Sequence, residues 1–348
     1  MIQTIRASRG PGAPCFAGAS RAAGLTLSLT TGLAIGLAAS LAPSPAHAQG
    51  NYPSKPINVV VGSAPGGSND LFARAIGKRL TDAWGQPVIV DNKAAAQGLV
   101  ANTFVARAPA DGYTLVVLSS TFTTSAAIMT NLQYDALKSF APVALLAKGP
   151  LLFTVSNSTP YKSVAEVVAY ARANPGKLNY ATSGVGSINN FATNLFMAAA
   201  AVKLTHIPYK GMGPAVTDLL GGQTEILIAS APSIMQQVKA GKVRALAVTS
   251  PGRSPVAPDL PTLEQSGYKG ASAELWWGVL APAGTPQPVV DKLNAEINKI
   301  VKGEDMREFF LREGAEPAPL SPAGFGQLIA SEIARWKKVA HAANIQPE

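Results

Sequence analysis

The chain has 348 residues, of which 47% are hydrophobic and 14% charged, with a formal net charge of +9. Its Lys and Arg are scattered, with no basic run and no aromatic–basic stripe, which argues against a nucleic-acid partner. The single cysteine, Cys15, excludes a disulfide framework and a cysteine-held metal.

Arg6, Arg9 and Arg21 precede an apolar, small-residue run from Ala22 to Ala42, and Ala46-His47-Ala48 fits the small-x-small cleavage rule. Residues 1–48 therefore read as a secretory signal with a long leader. The competing reading is a membrane anchor. The Gly, Ser and Thr in the run, and its end at Pro43 and Pro45, argue against that. Cleavage after Ala48 leaves 300 residues, and loss of the three Arg takes the charge to +6. The exported chain then has no cysteine, and a hydrophobic core must hold it together. Its positive excess steers small anions toward it.

Ile57–Val61 is a β-branched strand that stops at Gly62. The turn Pro65-Gly66-Gly67 follows, and Ser68, Asn69 and Asp70 open an amphipathic helix, Asp70–Trp84. A glycine turn leading into a helix offers unbonded N–H groups and the positive end of a helix dipole, which suits an anion. Pro87–Asp91 reads as a strand, Leu99–Ala108 as a helix and Tyr113–Leu118 as a strand. Val143–Ala147 and Leu151–Val155 form an extended stretch interrupted at Gly149-Pro150. Helices at Val164–Asn174, Phe191–Ala200, Pro214–Leu220 and Ile234–Ala240 alternate with strands at Leu178–Ala181, Thr205–Pro208, Ile226–Ala229 and Ala245–Val248. A strand at Trp277–Ala281 precedes helices at Pro288–Lys302 and from about Pro322 to Ala343. This alternation predicts an α/β fold with largely parallel sheets, and 300 residues allow two such domains.

Four more strand ends resemble the first. They lead into Ser119 to Ser125, into Thr182-Ser183-Gly184-Val185-Gly186-Ser187, into Tyr209-Lys210-Gly211, and into Ser230-Ala231-Pro232-Ser233. One such loop is ordinary turn chemistry. Five at the carboxyl ends of strands predict a shared polar cleft. Catalytic signatures are missing: there is no phosphate-binding P-loop, no G-x-S-x-G elbow, and the glycine fingerprint at Gly184 fails at its third glycine. Apart from His47 in the leader, the histidines are His206, which reads as a core or edge residue, and His341, which reads as solvated. No metal-ligand spacing occurs and no cofactor is expected.

Several blocks closely resemble one family. They are Tyr52–Ile57, Pro65–Asp70, Gly85–Asn92, Pro109–Leu115, Tyr180–Ser187, His206–Gly211, Asp218–Gln223 and Leu280–Pro286. Their order and spacing resemble the Bug family, the extracytoplasmic receptors of tripartite tricarboxylate transporters. The resemblance implies a two-lobed periplasmic-binding-protein fold of type II kind, with two crossover strands and the ligand in a cleft between the lobes. One lobe comprises 49–150 plus 276–348, the other 151–275. It also implies a periplasmic location, a small organic anion as ligand (a di- or tricarboxylate or an aromatic carboxylate), membrane permease subunits as partners, a monomeric receptor and no enzymatic activity.

Carried over residue by residue, ligand-binding roles fall on Ala64, Gly66, Gly67, Ser68 and Asp70, on Ser119, Ser120, Thr121 and Thr123, and on Ser183, Gly186 and Ser187. Tyr209 borders the cleft. Relatives often carry Pro-Phe where this chain has Gly62 and Ser63, so Ser63 enters the expected site. They also commonly carry Asp where this chain has Ala229, beside Ser230. Without that carboxylate an amino acid is a poorer ligand than a plain carboxylate. Trp276 and Trp277 are expected in hinge and core packing, the alternative being a stack on an aromatic ligand. Two other functions fit the same fold: a ligand-presenting subunit for a sensor kinase, and a hydrolase in which His206 adjoins a cleft serine.

Overall fold

The computed structural model describes residues 52–346; the expected signal at residues 1–48 lies outside the described residues. Strand β1 (Ile57–Val61) pairs in parallel with β2 (Val88–Asn92) on one side and β3 (Thr114–Ser119) on the other. Helices α1 (Ser68–Trp84) and α2 (Leu99–Ala106) connect them. A second parallel set has β5 (Asn179–Thr182) between β6 (Thr205–Pro208) and β7 (Ile226–Ser230). Helix α4 (Val164–Ala173) precedes β5, helices α5 (Ile188–Ala200) and α6 (Met212–Leu220) lead from β5 and β6, and α7 (Ala231–Lys239) follows β7. Two long strands join the sets: β4 (Phe140–Ser156) and β9 (Glu274–Pro282) run antiparallel to each other, β9 against β3 and β4 against β7. The order is β2-β1-β3-β9-β4-β7-β5-β6, with β8 (Val243–Val248) also pairing β4. The sheets are parallel in their outer strands only; the crossover strands make them mixed.

Where the sequence predicts two pieces broken at Gly149-Pro150, β4 is one strand of 17 residues. Pro150 is tolerated because it sits where β4 changes partner. Pro150 closes the ladder with β9 opposite Glu274, and Leu151 opens the ladder with β7 opposite Ser230. A proline without an N–H costs least at such a joint.

The predicted loop at 119–125 is mostly helix, α3 (Thr121–Ile128). Hydroxyls that usually compete with helix are spent inside it: Thr123 Oγ1 donates to Ser120 O at 2.7 Å and Thr124 Oγ1 to Thr121 O at 3.1 Å. Phe122 anchors it by stacking on Tyr134, with ring centroids 5.9 Å apart. Glu304–Arg312 forms a helix not anticipated from the sequence. Its acidic first turn and buried Met306 and Phe310 account for it.

Aromatic pairs weld the strands to their helices. Trp277, fully buried on β9, meets Phe72 of α1 edge-on at 4.7 Å, and Phe72 meets Phe310 at 5.1 Å. Phe325 of the C-terminal helix (Pro322–Ala343) packs on Trp276 at 5.3 Å, and Trp336 on Phe191 of α5 at 5.4 Å. Trp276 and Trp277 are 3% and 0% exposed, so both serve packing and neither presents a face for stacking a ligand.

Candidate functional site

The carboxyl ends of β1 and β3, which are neighbours in the sheet, each feed a helix whose first turn has no side-chain cap. At α1 the N-cap is Gly67, and the first intrahelical bond runs from Leu71 N–H to Gly67 O at 2.9 Å. The N–H groups of Ser68, Asn69 and Asp70 precede it and point out of the helix. At α3 the N-cap is Ser120, and Thr123 N–H is the first to reach back, to Ser120 O at 3.0 Å. Two uncapped helix starts at the ends of adjacent strands have the chemistry to hold an anion.

The Gly66-Gly67 turn is held from behind by Asp70. Gly66 N–H donates to Asp70 Oδ2 at 2.9 Å, Asn92 Nδ2 donates to Oδ1 at 2.9 Å, and Arg74 Nη2 lies 2.9 Å from Oδ1. Burial pushes this carboxyl up, but the hydrogen bonds from Arg74, Gly66 and Asn92, with the Arg74 charge, outweigh burial and hold it below its ordinary value. Gly66 has φ +82°, which a glycine adopts without strain. The Ser68 hydroxyl accepts from Trp277 Nε1 at 3.1 Å, which leaves its own proton to give. Ser63 Oγ and Ser120 Oγ are buried with no hydrogen-bond partner among the described residues. Ala64 and Gly66 are exposed, and Ser119 and Thr121 are half-buried.

The opposing loop follows β5. Thr182 Oγ1 accepts from Gly184 N–H at 3.2 Å, and Ser187 Oγ donates to Gly184 O at 2.7 Å while accepting from Asn190 N–H at 3.3 Å as the α5 N-cap. Ser183 Oγ donates to Asn189 Oδ1 at 3.1 Å, and Asn189 in turn is anchored by donating to Ile228 O at 2.7 Å. Tyr209 gives its proton to Asp218 Oδ2 at 2.6 Å; burial first, and that carboxylate second, push its hydroxyl up to about 12. Ser230 is the last residue of β7 and the N-cap of α7, with its hydroxyl 2.6 Å from Ser233 Oγ.

The expected residues thus divide by what they touch. Gly67, Ser68, Ser119, Ser120, Thr121 and Ser63 stand at the strand ends with donors or N–H groups near them. The side chains of Asp70, Thr123, Ser183, Ser187 and Tyr209 are engaged in holding turns and helices. Trp277, expected in packing, also orients Ser68. Two residues escape the sequence reading: Asn92 buttresses Asp70, and Gln97 Nε2 donates to Val185 O at 2.8 Å, tying the turn after β2 to the loop after β5. The Gln97-Gly98 pair before an apolar run is the one local hint of that last turn.

His206 stacks on Tyr180 at 4.8 Å, and its Nε2 is 2.7 Å from Thr182 Oγ1. Burial alone lowers its pKa. Its bonded partner is a threonine that also supports Gly184, so no cleft serine is paired with it for nucleophilic chemistry.

Residues 72–345 match the family model described as the tripartite tricarboxylate transporter family receptor. The chain is 36% identical to the protein BugT of Bordetella pertussis over 83% of this chain and 89% of that one. Among solved structures, Rpa4515 of R. palustris with adipate superposes with a TM-score of 0.81 at 35% identity, covering 85% of this chain and all of that one. The periplasmic binding protein BugD gives 0.78 at 34% identity over 85% of this chain and 100% of its own. MatC from Rhodopseudomonas palustris with bound malate gives 0.75 at 34%, over 83% and 99%. With the fold, the paired helix starts and the match along most of its length agreeing, the chain belongs to the tripartite tricarboxylate transporter receptor family, a family of solute-binding receptors and not of enzymes.

Proposed function

We propose that this receptor binds a small dicarboxylate in the cleft between its lobes and delivers it, as a periplasmic monomer, to the permease of a tripartite transporter. The single observation that carries the ligand class is the pair of uncapped helix starts, α1 and α3, side by side at the ends of β1 and β3. They supply N–H groups and hydroxyls instead of a cationic side chain. One carboxylate sits on Ser68, Asn69, Ser119 to Thr121 and the Ser63 hydroxyl, and the far end of the ligand meets Ser183, Gly186 and Ser230. Each charge-assisted bond contributes about 1.5–3 kcal/mol. A micromolar Kd corresponds to about 8 kcal/mol, so a handful of bonds suffices after association and closure are offset.

The adipate and malate carried by two structural neighbours agree with this class. The lobes divide at 49–150 plus 276–348 and at 151–275, a division favoured by the change of partner at Pro150. Ala229 is buried and Ser230 is neutral, which leaves an ammonium without a counter-charge and disfavours amino acids. Calorimetry and thermal melts against adipate, malate, aromatic carboxylates and aspartate test the proposal. A dicarboxylate at a hundredfold excess over its Kd raises stability by about 2.7 kcal/mol. Binding of aspartate in preference to every plain carboxylate overturns it.

A further inference from the structure

Two side chains outside the anion seat close onto the opposite loop. Gln97 lies in the single turn Ala96–Gly98 that follows β2, and its amide reaches Val185 O at 2.8 Å. Its backbone is left-handed, with φ +55°, a conformation that long side chains seldom adopt. Two glycines make that bend possible. Gly98 has φ +90°, and at Gly62 a Cβ would stand 2.4 Å from the Gly98 Cα, so only a bare Gly62 lets the turn settle on the end of β1.

The receiving loop is cut to fit. A Cβ at Gly184 would lie 2.8 Å from Gln97 Nε2, and one at Gly186 would lie 2.9 Å from Ile128 Cδ1. Ile128 is the last residue of α3, the helix whose first turn forms half of the anion seat, and it is 8% exposed. A bent turn, a hydrogen bond to the opposite loop and two glycines that make room for Gln97 and Ile128 therefore converge on one spot.

We propose that Gln97 and Ile128 form a latch on the Gly184-Val185-Gly186 loop that holds the cleft shut and sets how long a bound dicarboxylate stays. The part concerning the ligand rests on the receptor reading above. Gln97 is a positioning residue: it acts on the ligand through the loop that carries Ser183 and Gly186. A contact that joins Gln97 to the loop after β5 must break before the ligand leaves, so its effect falls on dissociation.

Stopped-flow binding of adipate and malate tests this. Gln97→Ala raises the dissociation rate about three- to tenfold, as loss of one neutral hydrogen bond implies, with the association rate within twofold. Gln97→Glu, which keeps the shape but cannot donate to Val185 O, gives at least that increase. An unchanged dissociation rate overturns the latch. So does a fall in the melting temperature of the unliganded Gln97→Ala protein large enough to account for the lost affinity, because that marks a purely structural role. A second arm needs no ligand. In a Cys15→Ser background, which is free of other cysteines, Gln97→Cys with Val185→Cys is treated with a short bismaleimide. An intramolecular bridge supports closure at this point, and failure to bridge overturns it. If the wild type binds no organic acid yet the bridge forms, the ligand class is wrong while the latch contact stands.

Discussion

Replacing Asp70 by Asn tests whether the anion turn is held from behind. The side chain is 3% exposed and takes bonds from Gly66 N–H, Asn92 Nδ2 and Arg74. An amide of the same shape keeps one accepting oxygen and turns a second donor toward groups that themselves donate. Arg74 is 51% exposed, so its share is screened by water and counts little. Weakening the two sheltered bonds costs about 2–3 kcal/mol. At about 2–4 °C per kcal/mol for a chain of this size class, the melting temperature falls by about 4–12 °C.

The pH dependence has a fixed sign. The folded pKa of Asp70 lies below its ordinary 3.8, so its contribution is complete well above 3.8 and is lost as pH falls through the folded value. Thermal melts of wild type and Asp70→Asn at pH 7, 5 and 3 should show equal gaps at the first two and a smaller one at the third. Affinity gives a second criterion. Removing a negative charge beside an anion seat would by itself tighten binding, so weaker adipate binding by Asp70→Asn identifies the loosened turn as the dominant effect. A gap under about 1 °C at pH 7, or one that does not narrow at pH 3, refutes the assignment.

Trp277→Phe keeps the edge contact with Phe72 but removes the donor to Ser68; urea melts should show a loss of about 1 kcal/mol and calorimetry a severalfold weaker Kd for adipate. Gly278→Ala drives a methyl to within 2.2 Å of Phe325 Cζ, and should lower stability by about 1–3 kcal/mol in the same melts. His206 has its folded pKa depressed by burial, so folding opposes its protonation and stability falls as pH drops below the unfolded value near 6.5. His206→Gln should flatten that part of the stability profile between pH 7 and 5, as read by melting temperature.

The sequence makes much of the frame legible because its strands are short β-branched runs with glycine or proline at their ends. Ile57–Val61, Thr205–Pro208 and Pro322–Ala343 fall where the pattern puts them. The failures share a cause. At 119–125 the run of Ser and Thr looks like loop until one sees that two hydroxyls bond back to helix carbonyls and Phe122 is buried by Tyr134. At Gly149-Pro150 local propensity signals a break, but β9 on one side and β7 on the other carry the strand through. For the site, residue type locates the loops but not the direction of each side chain. Asp70 and Tyr209 read as site residues in sequence, and their bonds to Gly66, Asn92 and Asp218 appear only in the folded chain.

The joint in β4 has a mechanical consequence. Ladder hydrogen bonds act as rungs, and rungs resist bending because a bend stretches them. At position 150 the chain donates no rung, since proline carries no N–H, and the strand is changing neighbours there. Resistance to torsion along β4 should therefore be least at this point. Replacing this one residue with one that carries an N–H should stiffen the joint.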